Sequence, residues 1–406
     1  MRSAASGTAA PVTEWARRRV LAVLCVTEIV SWGVLYYAFP VLAAAIAADT
    51  GWRPDAAAGA FSAALVVSAV VGVPVGRWLD RWGPRVVMTA GSVLAVPAMV
   101  LVARAPSFPW FLAGWLLAGV AMAGVLYAPA FAALTRWWGP RRVTALTILT
   151  LAAGLSSTVF APLTAALLEA RGWRGALLAL AVVLAVTTVP AHLFGLRGPW
   201  PAVEREGPGP GGDDPGAIAR SRPFLLLTSA MALAAFAAYA VLVNQVALLL
   251  ERGLDTATAA LALGLGGVGQ VLGRLGFGGL AARTGVRART AGIIAACAVT
   301  TALFAVVPGP AALLVGVAVV TGAARGLFTL VQATAVSDRW GAAHYGRLNG
   351  LLGGPALVAT AVAPWAGTAL AGPLGGWPAV FGVLAGVAGL AALLAVTARV
   401  PAGPGP

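Results

Sequence analysis

Uncharged apolar windows of about 20 residues recur roughly every 30 residues along this chain, each long enough to carry a helix across the ~30 Å hydrocarbon core of a bilayer. Nothing else in the sequence constrains the fold as strongly. Hydrophobic residues make up 60% of the 406 and charged residues 10%, a balance no soluble core absorbs. A membrane barrel would alternate polar and apolar residues with period two, and these windows do not. The chain therefore reads as an all-α, polytopic membrane protein. No cleavable leader is expected, because the first apolar segment is too long and no clear small-residue cleavage site follows it. Cys25 and Cys297 both fall inside apolar segments and read as small packing residues, with no disulfide, metal or cofactor implied.

Helices are predicted at 20–48, 56–76, 86–103, 110–134, 143–168, 174–196, 223–250, 257–280, 290–307, 311–337, 347–370 and 377–397, twelve in all. The formal net charge of +14 would suit a nucleic-acid partner, but its distribution argues for topology instead. Every basic residue is an arginine. With the N-terminus inside, Arg17, Arg18, Arg19, Arg77, Arg81, Arg85, Arg136, Arg141, Arg142, Arg283, Arg287 and Arg289 fall in inner loops. The outer loops keep Arg53, Arg104, Arg171, Arg174 and Arg252. The positive-inside rule then puts both termini in the cytoplasm, with the chain multi-pass in the plasma (cytoplasmic) membrane and its arginines near anionic lipid rather than nucleic acid.

Residues 197–222 are rich in Pro, Gly and charge and cannot span a membrane. They read as a flexible cytoplasmic linker between an N-terminal six-helix bundle (1–196) and a C-terminal one (223–406). The two parts repeat each other at an offset of 278 − 76 = 202, which pairs Gly76 with Gly278, Arg81 with Arg283, Gly83 with Gly285 and Arg85 with Arg287. The same offset carries Trp138-Gly139 onto Trp340-Gly341 and Ala161-Pro162 onto Ala363-Pro364. One constant offset over four helices indicates pseudo-symmetric halves related by an axis along the membrane normal.

The stretch Gly76, Asp80, Arg81, Gly83, Arg85 resembles the loop signature between helices 2 and 3 of the major facilitator superfamily, and 278–287 resembles its weaker second copy. Within that superfamily, "SWGVLYYAFPVL" and the pattern Arg274-x-x-x-Gly278 are similar to the monocarboxylate-porter and oxalate/formate-type branch. Many animal members of the branch carry an aspartate one turn before the helix-8 arginine, where this chain has Gln270. The resemblance implies that helices 1, 4, 7 and 10 line a central cavity. It also implies a gating loop, in which Asp80 faces the positive end of helix 11 and latches the cytoplasmic side. Arg81 and Arg85 would hold Asp80 and the lipid surface, while Gly76 and Gly83 permit close approach and a tight turn. Ala282 stands where a second Asp80 would fall, so the latch is expected to be asymmetric. The competing reading gives these charges a role in topology alone.

Charges inside a bilayer are costly unless they face a cavity or a partner. Arg325 is the deepest, some 14 residues or about 20 Å from the outer end of its helix. Its planar fork suits a carboxylate, the alternative being a structural clamp between helices. Arg274 lies nearer the cytoplasmic end, with Gln270 one turn away on the same face; it either binds substrate or snorkels to the interface. Glu28 is the one carboxylate buried within a predicted helix and is the default proton carrier, or else a permanently paired structural residue open to a bridge with Arg274. Trp32, Tyr36, Tyr37, Tyr127, Asn244, Gln245, Thr329 and Gln332 complete the candidate substrate cavity. His192 and His344 suit surface roles.

No protease, P-loop or Ser/His/Asp arrangement occurs, and the glycines of "GLGGVGQVLG" sit inside a membrane helix, where they serve close packing, so no enzyme is expected. The leading expectation is a monomeric secondary transporter that moves a small organic anion, monocarboxylate-like, by alternating access with a proton. The alternatives are an efflux carrier for amphipathic drugs or other small molecules, against which helix 5 lacks the Gly-x-x-x-Gly-Pro pattern of drug/proton exchangers, and a non-transporting membrane sensor or scaffold.

Overall fold

A computed structural model describes residues 13–198, 200, 215–341 and 344–398. Among them, ten helices are long and apolar enough to cross a bilayer. Two are too long to cross once: Pro54–Arg104 has 51 residues and Arg142–Gly195 has 54, or about 76 and 81 Å at ~1.5 Å per residue. Each breaks at one glycine, Gly83 (φ 76°, ψ 170°) and Gly172 (φ 65°, ψ 173°), in a backbone region closed to residues with a Cβ. The helix Phe108–Trp138 shows that the first of them folds back. A Cβ on its Gly114 would touch Val102, and one on its Gly119 would touch Ala64. Residues 38 apart in sequence thus lie beside positions five apart, which a straight rod cannot do.

Twelve spans result: α1 (Glu14–Thr50), α2 (54–82), α3 (84–104), α4 (Phe108–Trp138), α5 (142–171), α6 (173–195), α7 (Arg222–Glu251), α8 (Thr256–Arg283), α9 (Val286–Val306), α10 (Ala311–Thr334), α11 (Tyr345–Ala371) and α12 (Trp377–Thr397). They form the two six-helix bundles of the expected all-α membrane fold. Two predicted boundaries differ by six residues: α1 begins at Glu14 rather than 20, and α2 stays helical through Arg77, Asp80 and Arg81 and ends only at Gly83, because charge by itself does not stop a helix and the positive-φ glycine does. Of the segment read as linker, 201–214 lie outside the described residues, while Pro215–Arg220 forms a short helix. Asp255 caps α8, accepting from the Thr258 amide at 2.9 Å and its hydroxyl at 2.7 Å, and the hydroxyl bond above all holds this carboxylate below its ordinary range.

The 202-residue repeat is visible in hydrogen bonds. Arg85 donates from Nε to the Leu193 carbonyl at the end of α6 (2.8 Å), and Arg287 donates from Nε to the Val396 carbonyl at the end of α12 (2.6 Å). Gly139 and Gly341 both take positive φ, 50° and 71°. The bundles meet on the side away from the arginine-rich loops. There the Trp365 amide donates to Ser62 Oγ (3.0 Å) between α11 and α2, and Thr158 Oγ1 donates to the Gly264 carbonyl (2.8 Å) between α5 and α8.

Candidate functional site

Glycine spacing sets how closely α8 and α10 approach. A Cβ added at Gly269 would lie 2.0 Å from the Val319 carbonyl, at Gly273 2.2 Å from that of Ala323, at Gly322 1.9 Å from that of Gly266 and at Gly326 2.2 Å from that of Gln270. Only hydrogen fits at these four places, so the two backbones touch. That contact puts Gln270 and Arg274 of α8 beside Arg325 and Thr329 of α10. Arg274 donates from Nε to Thr329 Oγ1 (3.3 Å), which in turn donates to the Gly326 carbonyl (2.8 Å). Through Nη1 the same guanidinium reaches across to the Thr150 carbonyl of α5. Arg325 is 5% exposed, and its Nε and Nη2 find no acceptor.

The opposite wall comes from α1, α4 and α7. In α1 the residues Gly33–Tyr37 form one turn of wider π-helix, with Gly33 close enough to the Phe160 ring of α5 that a Cβ there would lie 2.2 Å from it. In α4 the helix breaks at Leu126 (ψ −167°), because Pro129 has no N–H and its ring meets the carbonyl four residues back. Tyr127 restarts that helix and packs on Trp32 of α1 at 5.0 Å between ring centroids. Between the two walls lies a cavity of about 250 Å³ that reaches along α10 as far as Ala333, near its end on the arginine-rich side.

Of the predicted binding residues, the structure brings Arg325, Arg274, Gln270, Tyr36, Tyr37, Tyr127, Thr329 and Gln332 to this cavity. It does not bring Asn244 or Gln245. Asn244 donates to the Ala240 carbonyl (2.9 Å), accepts from Thr368 Oγ1 (2.8 Å) and lines a separate cavity of about 310 Å³ with Glu251 and Trp377. Gln245 is buried in α7 and lines neither cavity. Sequence reasoning missed Tyr239, which lines the central cavity from the same helix. Five residues separate it from Asn244, about 7.5 Å along the axis and roughly 140° around it, so the two cannot share a site. The available signal was scarcity: the chain has 5 tyrosines, and Tyr36, Tyr37, Tyr127 and Tyr239 all come here. Among the described residues no carboxylate lines the cavity, although two guanidiniums do.

Glu28 is fully buried in α1 beside Trp32, and neither of its oxygens has a hydrogen-bond partner. The bridge to Arg274 open to it in sequence is not formed; that arginine is taken up by Thr329 and Thr150. His192 is buried rather than superficial, with Nδ1 2.7 Å from Ser92 Oγ of α3. Its segment, Ala191–Gly195, is a second π-turn.

The gating loop also departs from expectation. Asp80 pairs with Arg136 of α4, in its own bundle, and not with the start of α11. Trp200, just past α6, locks this arrangement: its Nε1 donates to the Asp80 carbonyl (3.3 Å), its ring lies 4.3 Å under the Arg136 guanidinium, and its Cγ would sit 3.3 Å from a Cβ on Gly83. Arg85 holds Leu193 rather than Asp80. Gly76 has open space where a Cβ would be, so no close approach requires a glycine there. Arg81 lies over the Trp82 ring at 5.9 Å. In the second bundle Asp338, at the repeat position of Arg136, pairs at 2.6 Å with Arg289 of α9, whose repeat counterpart is Val87 of α3, while Asp80 is matched by Ala282.

Twelve spans in two repeated bundles around a polar cavity define a membrane protein of the facilitator class, and residues 24–318 match the family model described as Major Facilitator Superfamily. The chain belongs to that superfamily. It is 32% identical over 218 residues to monocarboxylate transporter 13 of Bos taurus, covering 52% of this chain and 49% of that protein. It is 32% identical over 253 residues to monocarboxylate transporter 11 of Homo sapiens, covering 60% and 51%. The chain thus spans about half the length of the curated relatives it matches. Among solved structures, the nucleoside transporter NupG superimposes with a TM-score of 0.77 at 16% identity, over 94% of this chain and 99% of that one. A bacterial homolog of the human lysosomal transporter Spinster, in an inward-facing and occupied conformation, gives 0.75 at 16% over 96% and 100%. At such identities the likeness is one of fold.

Proposed function

We propose that this protein is a secondary transporter that carries a small organic anion across the membrane by alternating access. The observation that carries the reading is Arg325. A buried guanidinium with two donors unpaired is expensive to maintain, and a carboxylate entering the cavity satisfies it with a two-pronged, charge-assisted bond. The similarity to two monocarboxylate transporters supports the same class of cargo. The bundles meet on the outer side and are bridged at Arg274–Thr150, while the cavity reaches toward the arginine-rich side, so rocking one against the other about Arg325 would expose it alternately. By the positive-inside rule the arginine-rich side is proposed to be cytoplasmic, with both termini inside, and a monomer in the plasma membrane is part of the same proposal.

A proton is the proposed coupling ion and Glu28 its carrier. The carboxyl is enclosed next to the cavity wall without a cationic partner, where a proton removes an otherwise uncompensated buried charge. The test is an uptake screen in proteoliposomes that compares labelled carboxylates with neutral sugars, with and without an imposed pH gradient. Saturable uptake of a carboxylate, driven by an inward proton gradient, is the expected result. Uptake of a sugar and of no carboxylate overturns the proposal.

A further inference from the structure

The central cavity has two unlike faces, and together they specify the body of the cargo as well as its charge. We infer that the protein takes an aryl monocarboxylate, a carboxylate carried on an aromatic ring, in preference to a short aliphatic acid; this rests on the anion-transport reading above. The charge comes first. Of the two guanidiniums at the cavity, Arg274 is already bonded to Thr150 and Thr329, while Arg325 is unpaired. One free fork calls for one carboxylate. Among the described residues the cavity holds no acidic side chain that would suit a cationic substituent such as an ammonium group.

The facing wall supplies the rest. Trp32 and Tyr127 lie 5.0 Å apart between centroids, Tyr127 stacks on Phe131 at 5.0 Å and 24°, and Trp32 meets Tyr36 at 5.3 Å. These rings come from α1 and α4 and form one continuous aromatic surface, and Tyr239 of α7 lines the same cavity. Trp32, Tyr127, Phe131 and Tyr239 stay partly exposed. At about 250 Å³ the cavity equals the share of roughly eight waters at ~30 Å³ each, well beyond the needs of a three-carbon acid. An aryl carboxylate anchored at Arg325 would lay its ring on this surface and displace that water, and ring pairs of this kind favour an aromatic partner over an aliphatic one by up to about tenfold.

Equilibrium binding to the purified protein tests this, with benzoate, L-lactate and uncharged benzyl alcohol as probes. Benzoate should bind about tenfold more tightly than lactate, and benzyl alcohol should bind more weakly than benzoate. Equal affinity for benzoate and lactate, both above benzyl alcohol, overturns the aryl preference and leaves the anion reading standing. Benzyl alcohol binding as well as benzoate overturns both. Tyr127→Leu should lower the benzoate-to-lactate affinity ratio several-fold, while Tyr127→Phe, which keeps the ring, should hold it near the parent value. Should Tyr127→Leu fail to fold, Phe131→Leu reads the same ratio. A ratio unmoved in a folded Leu variant means that the wall does not recognise the ring, and the inference fails.

Discussion

The Arg274 guanidinium of α8 donates through Nη1 to the backbone carbonyl of Thr150 in α5, so that a cavity-lining charge of one bundle is fastened to the main chain of the other. Its Nε holds Thr329, and a Cβ on Gly154 of α5 would come within 3.4 Å of Nη1, so the bond crosses a tight interface. Arg274 is a strut between bundles in this conformation, and Arg325 is the guanidinium left for substrate.

Arg274→Gln should insert in the membrane normally yet bind substrate less well, because the shorter amide loses the reach to Thr150 and leaves Thr329 without its donor. The lost charge-assisted bond, worth about 1.5–3 kcal/mol, loosens the strut that holds the cavity wall, and substrate affinity should fall by less than the roughly 10- to 150-fold this energy corresponds to. Unaltered binding by purified Arg274→Gln would leave this residue a structural strut with no part in substrate binding.

At Arg325 the charge alone is not enough. Arg325→Lys keeps the cation but replaces the planar fork with a point charge, and initial uptake rates should drop by about an order of magnitude or more. A lysine variant with the parental rate and apparent affinity removes Arg325 as the anion anchor.

The α8–α10 contact predicts where a methyl group is intolerable. Gly269→Ala puts a Cβ 2.0 Å from the Val319 carbonyl and should destabilise the protein by about 1–3 kcal/mol. Gly276→Ala, in the same helix, meets nothing within 4 Å and should be neutral or stabilising. Thermal unfolding in detergent separates the two; equal melting temperatures would contradict the interface.

For the loop, Asp80→Asn breaks an exposed pair with Arg136 whose own contribution is about 0–1 kcal/mol, so folding should survive. If Asp80 latches α11 in the alternate state, the amide shifts the population toward the present conformation. Labelling of Ala333→Cys, on a background lacking Cys25 and Cys297, should then speed up about two- to fivefold. An unchanged rate sinks the latch and leaves Asp80 as a partner of Arg136.

Glu28→Gln distinguishes a proton carrier from a structural residue. The amide mimics the protonated carboxyl but cannot release a proton, so counterflow exchange should persist while accumulation driven by a pH gradient disappears. Gradient-driven accumulation at the parental level would exclude Glu28 as carrier. No cationic partner is stranded by the change, since Arg274 is bonded elsewhere.

What the sequence determined by itself is everything that depends on distance along the chain. Twelve apolar windows, the 202-residue repeat joining Arg85 to Arg287 and the depth of Arg325 follow from hydropathy and spacing, because a helix in lipid satisfies its own backbone and must be of bilayer length. Which side of each helix faces the cavity was another matter. In water a helix shows its buried face as an apolar stripe; in lipid both faces are apolar, so that signal fades. That is why Asn244 and Tyr239, on one helix, could not be told apart until α7 was packed. Only tertiary structure paired Asp80 with Arg136 and buried His192 on Ser92, since those partners come from helices whose rotation no local pattern fixes. The glycines of α8 and α10 were legible as a close-packing signature, but their register was not, and it is the register that sets Arg274 against Thr329 and leaves Arg325 unpaired.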